Sequence, residues 1–372
     1  MAEERNNHQH TTTTGLENQL IIASIIGCGD VCDQYIQNMI AFDFLKVKSA
    51  ADINLGKAEE TAKKFNIKAT PTEAMLNDPE IDLVVNLTPP AAHTDINLKI
   101  ISAGKHLYSE KPLGANRDEV ALILTSANDK GVLVGSAPDH FMGPSLQAAR
   151  RLIDDGEIGD VLAAMAFLAT RGPELSHPNP GIFYRAAAGP LYDLGPYCLT
   201  ALVSLMGPVA RVCGSAQMLI PKRTVQNGSA AGSVIQSEVP THASAVIDYE
   251  TGAVGTVTVS FDVWSAKHPL VEIFGSKGTI SIPGPHKYTS PVHLLKAGET
   301  KWSDVPLPDI QSAGRGLGAA DLARAVLTNY KPRASGELAY HVTDILQAIE
   351  EASASGSFRR IKSRCERPEP LY

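Results

Sequence analysis

Apolar and polar positions alternate along the first 140 or so residues in blocks whose lengths suit strands and helices in turn. Residues 19–26 form a nearly continuous apolar run, which is typical of a central strand buried on both faces. Later blocks predict strands over residues 47–51, 82–87, 105–108 and 132–135, and helices over 92–103 and 117–129. Repeated strand–helix units of this length predict an α/β fold with a doubly wound parallel sheet.

Beyond about residue 140 the apolar positions recur at every second residue, which predicts strands with one buried face. These strands are predicted over residues 161–168, 209–219, 243–249, 253–261 and 270–275, with helices over 144–155, 189–206, 317–329 and 338–353. The second part of the chain is therefore predicted to be an α+β domain with a large, mostly antiparallel open sheet.

A glycine turn follows the first strand, in the segment Gly27-Cys28-Gly29-Asp30-Val31. Glycines at this place allow a tight turn and let the backbone approach a pyrophosphate, which rests on the free N–H groups at the start of the next helix. Asp52 ends the second strand, twenty-five residues after Gly27. A carboxylate there accepts hydrogen bonds from the adenosine ribose and repels a 2′-phosphate, so NAD(H) is favoured, with NADP(H) as the alternative. The other interpretation of Asp52 is a solvated aspartate at a strand end.

These patterns divide the chain of 372 residues into two predicted domains. Residues 1–18 are polar and are predicted to be a disordered tail. Residues 19–139 are predicted to form a dinucleotide-binding Rossmann domain. Residues 140–372 are predicted to form an α+β domain that binds substrate and mediates oligomerisation.

Two loops at the carboxyl ends of predicted strands carry residues suited to the reacting half of the cofactor. Glu110-Lys111-Pro112 follows the strand over 105–108, and its lysine, held by the following proline, is placed to bond a substrate hydroxyl. Thr88-Pro89-Pro90 follows the strand over 82–87 and is predicted to run under the nicotinamide, together with His93. Lysines at strand ends are common, so the interpretation of Lys111 as catalytic depends on the glycine turn that precedes it in the chain.

Asp193 and Tyr197 lie four residues apart in the predicted helix over 189–206 and would share one face of it. The apolar residues around them indicate a buried helix, in which an aspartate and a tyrosine need polar partners. Both side chains are candidates for the catalytic site.

Taken together, the turn at Gly27, the Thr88-Pro89-Pro90 loop with His93, the segment around Glu110-Lys111-Pro112 and the stretch Asp193-Leu194-Gly195-Pro196-Tyr197 resemble the Gfo/Idh/MocA family of oxidoreductases. The resemblance runs from about residue 19 to about 356. It implies that Lys111, Asp193 and Tyr197 surround the substrate carbon.

The chain departs from the inositol-dehydrogenase pattern of that family at two positions, with Tyr197 in place of a histidine and Thr200 in place of a second aspartate. Tyrosine there resembles the branches in which a lysine–tyrosine pair is thought to handle the proton. The predicted mechanism is hydride transfer from a secondary alcohol to the nicotinamide, with Tyr197 taking the hydroxyl proton and the Lys111 ammonium favouring the tyrosinate. Asp193 would orient the substrate or receive the proton.

A further set of residues resembles a branch that acts on glycosides and other sugars. Sugar sites combine an aromatic platform for the ring with polar side chains for the hydroxyls, and His177, Asp262 and Trp264 have these properties. The predicted substrate-binding residues are Asp139, His177, Tyr184, Arg185, Asp262 and Trp264. Taken singly, each of these residues fits a structural role better than a binding role, and only their joint placement in one cleft would favour binding.

Other classes of protein fit the composition less well. No His-x-x-x-His pair or Cys-x-x-Cys motif occurs, and the cysteine count of 5 is odd, so we expect no metal, no disulfide framework and a cytoplasmic location. The net charge of −7 offers no basic face for nucleic acid, and no apolar run is long enough to cross a bilayer. The open sheet predicts a homodimer or homotetramer.

The sequence thus predicts an NAD(P)-dependent oxidoreductase acting on a secondary alcohol of a sugar, glycoside or cyclitol, with the C3 hydroxyl of a pyranose as one such position. A dihydrodiol or pentose dehydrogenase of the same family is the first alternative. The second is a regulatory protein that keeps the fold and senses a cofactor or sugar without turnover, because fold alone does not fix function.

Overall fold

A computed structural model describes residues 19–268, 270–284 and 287–371. The predicted disordered tail, residues 1–18, lies outside the described residues.

The N-terminal sheet is six-stranded and parallel throughout, in the order β3-β2-β1-β4-β5-β6. Its strands are β1 Ile21–Ile26, β2 Leu45–Ala51, β3 Lys68–Ala69, β4 Leu83–Asn86, β5 His106–Ser109 and β6 Val134–Ser136. Its helices are α1 Cys32–Met39, α2 Leu55–Phe65, α3 Thr72–Leu76, α4 His93–Ser102 and α5 Arg117–Lys130. The strand order reverses at β1, so the doubly wound sheet that the sequence predicts is confirmed.

Local sequence sets the ends of these helices, as α5 illustrates. The Asn116 side chain accepts a hydrogen bond from the backbone N–H of Glu119 at the start of α5, which satisfies one of the unpaired donors of the first turn. Gly131 ends the helix in the left-handed conformation, with φ of 65°, where a residue without a side chain is favoured. The chain therefore turns back toward β6 directly after α5.

The C-terminal sheet has nine strands in the order β16-β15-β14-β13-β7-β12-β11-β8-β17, and a separate hairpin joins β9 to β10. The strands are β7 Val161–Ala169, β8 Val209–Gln217, β9 Lys222–Thr224, β10 Val234–Gln236, β11 His242–Tyr249, β12 Val254–Ser260, β13 Val271–Gly275, β14 Gly278–Ile282, β15 His293–Lys296, β16 Ser303–Asp304 and β17 Arg359–Arg360. Neighbouring strands are antiparallel except for β7 and β12, which are parallel. The prediction of a large, mostly antiparallel sheet is confirmed.

In the part of the chain that the structure describes, five α-helices accompany this sheet: α6 Pro144–Asp154, α7 Gly189–Asp193, α8 Gly195–Met206, α9 Leu317–Thr328 and α10 Gly336–Ser355. α6, α7, α8 and α10 pack on one face of the sheet, while α9 contacts β5, β6 and α1, and α10 also contacts α5 and β6. The carboxyl edge of the parallel sheet thereby lies beside the start of α8.

The single helix predicted over residues 189–206 is wrong in one detail, because the structure breaks it at Leu194 into α7 and α8. Pro196 has no N–H to donate to the carbonyl four residues earlier, so α7 cannot continue through it. The Tyr197 N–H bonds instead to Leu194 O at 3.1 Å. The break leaves Asp193 at the end of α7 and Tyr197 in the first turn of α8.

Candidate active site

The glycine turn between β1 and α1 is shaped by a close backbone approach. Gly27 has φ of 101°, and a Cβ atom added there would lie 2.6 Å from the carbonyl carbon of Leu87, so only glycine fits. Gly29 faces the opposite situation, with no atom within 4 Å of an added Cβ. The turn thus packs tightly on the sheet at Gly27 and leaves open space at Gly29, above the N-terminus of α1. This shape fits the pyrophosphate of a dinucleotide.

Asp52 follows β2 and points its carboxylate at the same turn. One oxygen accepts the backbone N–H of Cys28 and the other accepts that of Asn54, each at 2.8 Å. Carboxylate oxygens have further lone pairs, so these two bonds leave capacity for a ribose hydroxyl. Asp30 is exposed and Val31 is half-buried, and both stand at the open side of the turn.

His93 links the Thr88-Pro89-Pro90 loop to the segment after β5. Its buried ring places Nδ1 2.6 Å from the carbonyl oxygen of Pro112 and Nε2 2.7 Å from that of Thr88. The Thr88 hydroxyl donates to Asn86 Oδ1 at 2.7 Å, which fixes the start of the loop. The predicted cofactor residues after β4 and β5 are therefore held as one unit.

The three predicted catalytic side chains come together from three elements. The Lys111 ammonium donates to Asp193 Oδ1 at 2.6 Å and to the Asp193 carbonyl at 3.0 Å. It also lies over the ring of Tyr197, 5.3 Å from the centroid. Burial lowers the pKa of Lys111, but the charges of Asp193, Tyr197 and Glu110 outweigh burial and raise its pKa above the ordinary value. Lys111 is thus a cation at working pH.

Arg315, which no sequence pattern indicated as a site residue, donates a hydrogen bond from its Nη2 to the Tyr197 hydroxyl at 3.3 Å. Its Nη1 bonds Glu110 Oε1 at 2.9 Å, and the Tyr35 hydroxyl donates to the same oxygen at 3.0 Å. Arg315 stands between Gly314 and Gly316 in the loop before α9. The flanking glycines indicate an unusual backbone in this loop. They do not indicate that Arg315 pairs with Glu110, which lies 205 residues earlier in the chain.

Asp139, predicted to bind substrate, is buried beneath the Arg315 loop. One carboxylate oxygen accepts the N–H groups of Gly316 at 3.2 Å and Gly318 at 2.8 Å, and the other accepts the Tyr288 hydroxyl. Burial raises the pKa of Asp139 above its ordinary value, although the hydrogen bonds from Tyr288 and Gly318 act in the opposite direction. In this structure the carboxylate holds the loop that carries Arg315.

A cavity of about 260 Å³ opens beside this cluster. Its lining includes the Tyr197 and Arg315 side chains, His140, Tyr288 and a carboxamide row on α1 formed by Gln34, Gln37 and Asn38. His140 Nε2 donates to the Tyr197 carbonyl at 3.1 Å. The lining offers hydroxyl, amide and cationic groups, which suit a polar ligand with several hydroxyls.

Tyr184 and Asp262, also predicted to bind substrate, lie in a second, buried cluster around Arg223. The Arg223 guanidinium bonds Asp262 Oδ1, Glu174 Oε1 at 3.1 Å and the Phe261 carbonyl at 3.1 Å. The Tyr184 hydroxyl donates to Glu174 Oε2, and the second Asp262 oxygen accepts the Thr241 hydroxyl at 2.6 Å. Burial and the Glu174 carboxylate raise the pKa of Tyr184. These side chains connect the β9–β10 hairpin to the end of β12.

The remaining predicted substrate residues occupy the loops near this second cluster. Trp264 is 76% exposed, and the Arg171 guanidinium stacks 4.6 Å from its ring centroid. His177 is half-buried against Phe183, with ring centroids 4.9 Å apart, and Arg185 is exposed. The structure does not bring all six predicted substrate residues into one cleft.

Among residues 19–268, 270–284 and 287–371, no cluster of three or more histidine, cysteine, aspartate or glutamate side chains has the arrangement of a metal site. Nor does any helix in the same residues combine the length and apolar character needed to cross a bilayer.

Two protein-family models match the chain. The model for the oxidoreductase family with an NAD-binding Rossmann fold matches residues 21–137, and the model for the GFO/IDH/MocA C-terminal domain matches residues 146–281. The two matches include β1 to β6 and most strands of the large sheet.

Individual proteins of known function are also similar. Trans-1,2-dihydrobenzene-1,2-diol dehydrogenase of Mus musculus is 31% identical over 69% of this chain and 71% of its own length. Levoglucosan dehydrogenase of Pseudarthrobacter phenanthrenivorans is 26% identical over 84% of this chain and 88% of its own. A structure of levoglucosan dehydrogenase in complex with NADH and levoglucosan superposes with a TM-score of 0.79 at 21% identity, over 93% of this chain and 100% of that one.

Proposed function

The chain belongs to the Gfo/Idh/MocA family of NAD-binding oxidoreductases, and from its site we propose that it oxidises a secondary alcohol of a sugar, glycoside or cyclitol. The observation that carries this proposal is the contact of Lys111, Asp193 and Tyr197 at the carboxyl edge of the parallel sheet. Tyr197 lines the cavity, and Lys111 lies in the segment after β5 that His93 links to the loop after β4. This is the edge at which open parallel sheets bind cofactors.

A bound nicotinamide would supply the hydride acceptor, and the chain's residues would bind it from adenosine to nicotinamide. We assign the pyrophosphate to the turn of Gly27, Cys28, Gly29, Asp30 and Val31, and the ribose to Asp52. Thr88, Pro89, Pro90, Glu110 and Lys111 border the nicotinamide half, with His93 fixing their loops. The Asp52 carboxylate, already next to the turn, supports a preference for NAD(H) over NADP(H).

Proton transfer is the task of the remaining groups. When the alcohol carbon loses its hydride, the hydroxyl proton passes to the phenolate oxygen of Tyr197, which becomes a phenol, and the substrate becomes a ketone. Lys111, paired with Asp193, stabilises negative charge next to the Tyr197 ring and hydrogen-bonds the reacting hydroxyl. Asp193 orients Lys111.

The substrate pocket is the cavity lined by Tyr197, Arg315 and the α1 carboxamides. Its polar lining favours a cyclic polyol, and we propose the C3 hydroxyl of a pyranose as the first position to test. His177, Arg185 and Trp264 contribute from the loops after β7 and β12 if a glycoside extends toward them. Asp139 holds the wall of this pocket through its bonds to the Arg315 loop, whereas Tyr184 and Asp262 belong to the buried Arg223 cluster and stabilise the loops there.

A dihydrodiol is the second candidate substrate. The similarity to the mouse trans-1,2-dihydrobenzene-1,2-diol dehydrogenase, which is 31% identical to this chain, supports this candidate. Both candidates present a ring with neighbouring hydroxyls, so the same proton chemistry serves either.

We further propose that the open face of the nine-stranded sheet joins two copies in a homodimer or homotetramer. One row across this face places Cys213, Val246, Thr256 and Met165 side by side on four adjacent strands. Val246 is 40% exposed in the single chain, and β-branched residues in such a row suit packing of sheet on sheet. Sedimentation analysis at micromolar protein tests this proposal, and a monomeric mass contradicts it.

The function is tested by a turnover assay that follows reduced nicotinamide with a panel of levoglucosan, free hexoses, pentoses, inositols and a benzene dihydrodiol. We expect turnover with at least one cyclic polyol and a dependence on NAD⁺. Binding of NADH without turnover of any substrate would favour the regulatory alternative instead. Product analysis by NMR then identifies the oxidised carbon.

A further inference from the structure

We propose that Arg315 is a positioning residue that holds the Tyr197 hydroxyl and stabilises its phenolate, the task that the sequence assigns to Lys111 alone. This inference rests on the proposed function, in which Tyr197 takes the alcohol proton. The geometry that carries it is the hydrogen bond from Arg315 Nη2 to the phenol oxygen, at 3.3 Å.

Lys111 and Arg315 approach different parts of the tyrosine. The Lys111 ammonium donates to both oxygens of Asp193 that face it and lies over the aromatic ring, 5.3 Å from its centroid. The guanidinium places an N–H on the oxygen that must carry the negative charge. A hydrogen bond to the charged form favours that form directly, whereas a cation over the ring face acts from a longer distance.

Arg315 is held in place through both its side chain and the backbone of its loop. Glu110 Oε1 accepts its Nη1 at 2.9 Å, and the Arg315 carbonyl accepts the Asn38 amide at 2.9 Å. Asp139 fixes the next turn through the N–H groups of Gly316 and Gly318. With three anchors, the loop presents the guanidinium in one geometry, so little ordering is needed when the phenolate forms.

Other charged and titratable groups also surround the phenol and its arginine, and they come from every element packed there. They are Glu110 and Lys111 after β5, Asp193 at the end of α7, Asp139 and His140 after β6, Tyr35 on α1, and Tyr288. Glu110 shares its Oε1 between Arg315 and the Tyr35 hydroxyl, and its Oε2 accepts the Lys111 N–H at 3.0 Å. The Glu110 carboxylate thus accepts hydrogen bonds from three donors and uses only Nη1 of Arg315, so that Nη2 bonds Tyr197.

The proton balance gives the sign of the effect. In alcohol oxidation the phenolate accepts the hydroxyl proton while the hydride leaves with its electron pair for the nicotinamide, so the active form of Tyr197 is deprotonated. Loss of the Arg315 donor destabilises that form, and a higher pH is then needed to reach it. The kcat/KM for oxidation should therefore reach its plateau at a higher pH in a variant without the guanidinium.

The test compares Arg315→Gln and Arg315→Lys with a matched control, Arg333→Gln. Arg333 also lies in the C-terminal part, is 19% exposed against 29% for Arg315, and pairs with a carboxylate, Asp321, at 2.5 Å. Arg315→Gln should lower kcat roughly 10- to 100-fold near neutrality and raise the half-plateau pH of kcat/KM by about one unit. Arg315→Lys should recover part of both effects, and Arg333→Gln should leave both unchanged.

A second measurement needs no substrate. Tyrosinate absorbance is recorded against pH for the wild type and Tyr197→Phe, and their difference isolates Tyr197; the same difference is taken in the Arg315→Gln background. The inference requires the isolated tyrosine to ionise at lower pH when Arg315 is present. Equal curves in both backgrounds overturn it, whether or not a substrate has been found, whereas a failed substrate panel overturns the proposed function alone.

Discussion

Two clusters in this chain are built from the same residue types, an arginine, carboxylates and a tyrosine, yet they differ in access to solvent. The Arg223 side chain is 1% exposed, and its partners Glu174 and Asp262 are 5% and 6% exposed. The Arg315 side chain is 29% exposed and borders a cavity together with Tyr197. Composition therefore does not distinguish a structural cluster from a candidate catalytic one.

The difference lies in how completely the hydrogen-bonding groups are engaged. Arg223 bonds two carboxylates and the carbonyls of Ile220 and Phe261, so the guanidinium is held by protein on every side. A buried group of this kind fixes the position of loops, and removing one member leaves a partner charge without its partner. In the Arg315 cluster, by contrast, the Tyr197 side chain lines the cavity. We expect changes to the Arg223 cluster to affect stability and changes to the Arg315 cluster to affect rate.

The largest effect on rate should come from Lys111→Ala. Loss of the ammonium removes the group proposed to contact the reacting hydroxyl, and general acid–base groups contribute roughly 10²- to 10⁴-fold. Steady-state kcat should fall by that factor, while NADH binding, measured by fluorescence titration, changes little. Nearly full turnover by the variant would make Lys111 structural and remove the proposed site.

In the buried cluster, Arg223→Ala should lower the free energy of unfolding by about 3–5 kcal/mol, because Glu174 and Asp262 are left buried without their cation. Denaturant unfolding followed by circular dichroism measures this loss. At a temperature where the variant stays folded, its kcat should be close to that of the wild type. A stable variant with a large loss of kcat would show that the two clusters do not differ as we propose.

Tyr197→Phe and Tyr184→Phe form a matched pair, since each removes one phenolic oxygen. Tyr197→Phe should lower kcat about 10²-fold with little change in melting temperature, because the alcohol proton loses its acceptor. Tyr184→Phe should cost about 1–3 kcal/mol of stability, because Glu174 loses a buried donor, and leave kcat nearly unchanged. If Tyr197→Phe keeps the wild-type rate and pH profile, the proton acceptor is another group, such as Asp193 or His177.

A smaller effect is expected at the cofactor turn. Asp52→Ser removes the carboxylate that would repel a 2′-phosphate, so the ratio of kcat/KM for NAD⁺ to that for NADP⁺ should fall about tenfold or more. The serine hydroxyl can still accept the Cys28 N–H, which limits damage to the turn. Both cofactors are measured first in the wild type, where a preference for NADP⁺ would show that Asp52 does not select the ribose.

The smallest effect should follow Trp264→Ala. Its ring is 76% exposed, so stability should change by less than about 0.5 kcal/mol. If a glycoside reaches the ring, KM for that substrate should rise about fivefold while KM for a monosaccharide stays the same, as expected for an aromatic contact of about 1 kcal/mol. Equal KM values for both substrates would exclude Trp264 from the pocket.

Features that depend on neighbouring residues could be predicted from the sequence. The glycine turn, the strand-end position of Asp52 and the segment after β5 each belong to one strand–turn–helix unit, so local patterns were sufficient. The grouping of Lys111 with Asp193 around the substrate carbon was implied only by the family resemblance, because the two residues are 82 positions apart in the sequence.

Features that depend on burial could not be predicted in the same way. Tyr184 and Asp262 have the residue types of a sugar site, but those types serve equally well in a buried ion cluster, and the partner Arg223 lies in a separate hairpin. Arg315 was missed for the complementary reason, because nothing near it in the sequence indicates Glu110 or Tyr197. The break between α7 and α8 was predictable in principle from Pro196.

The His93 link between the Thr88 and Pro112 carbonyls has a consequence for the slow step of turnover. It joins the Thr88-Pro89-Pro90 loop to the segment that carries Lys111 through protein contacts alone. Such a preorganised arrangement needs no loop closure to assemble the reacting groups, so binding energy is not used for ordering them. We therefore expect the exchange of cofactor and product, rather than a rearrangement of these loops, to limit the rate with a good substrate. A burst of reduced nicotinamide in stopped-flow mixing would show this behaviour, and its absence would place the slow step at or before hydride transfer.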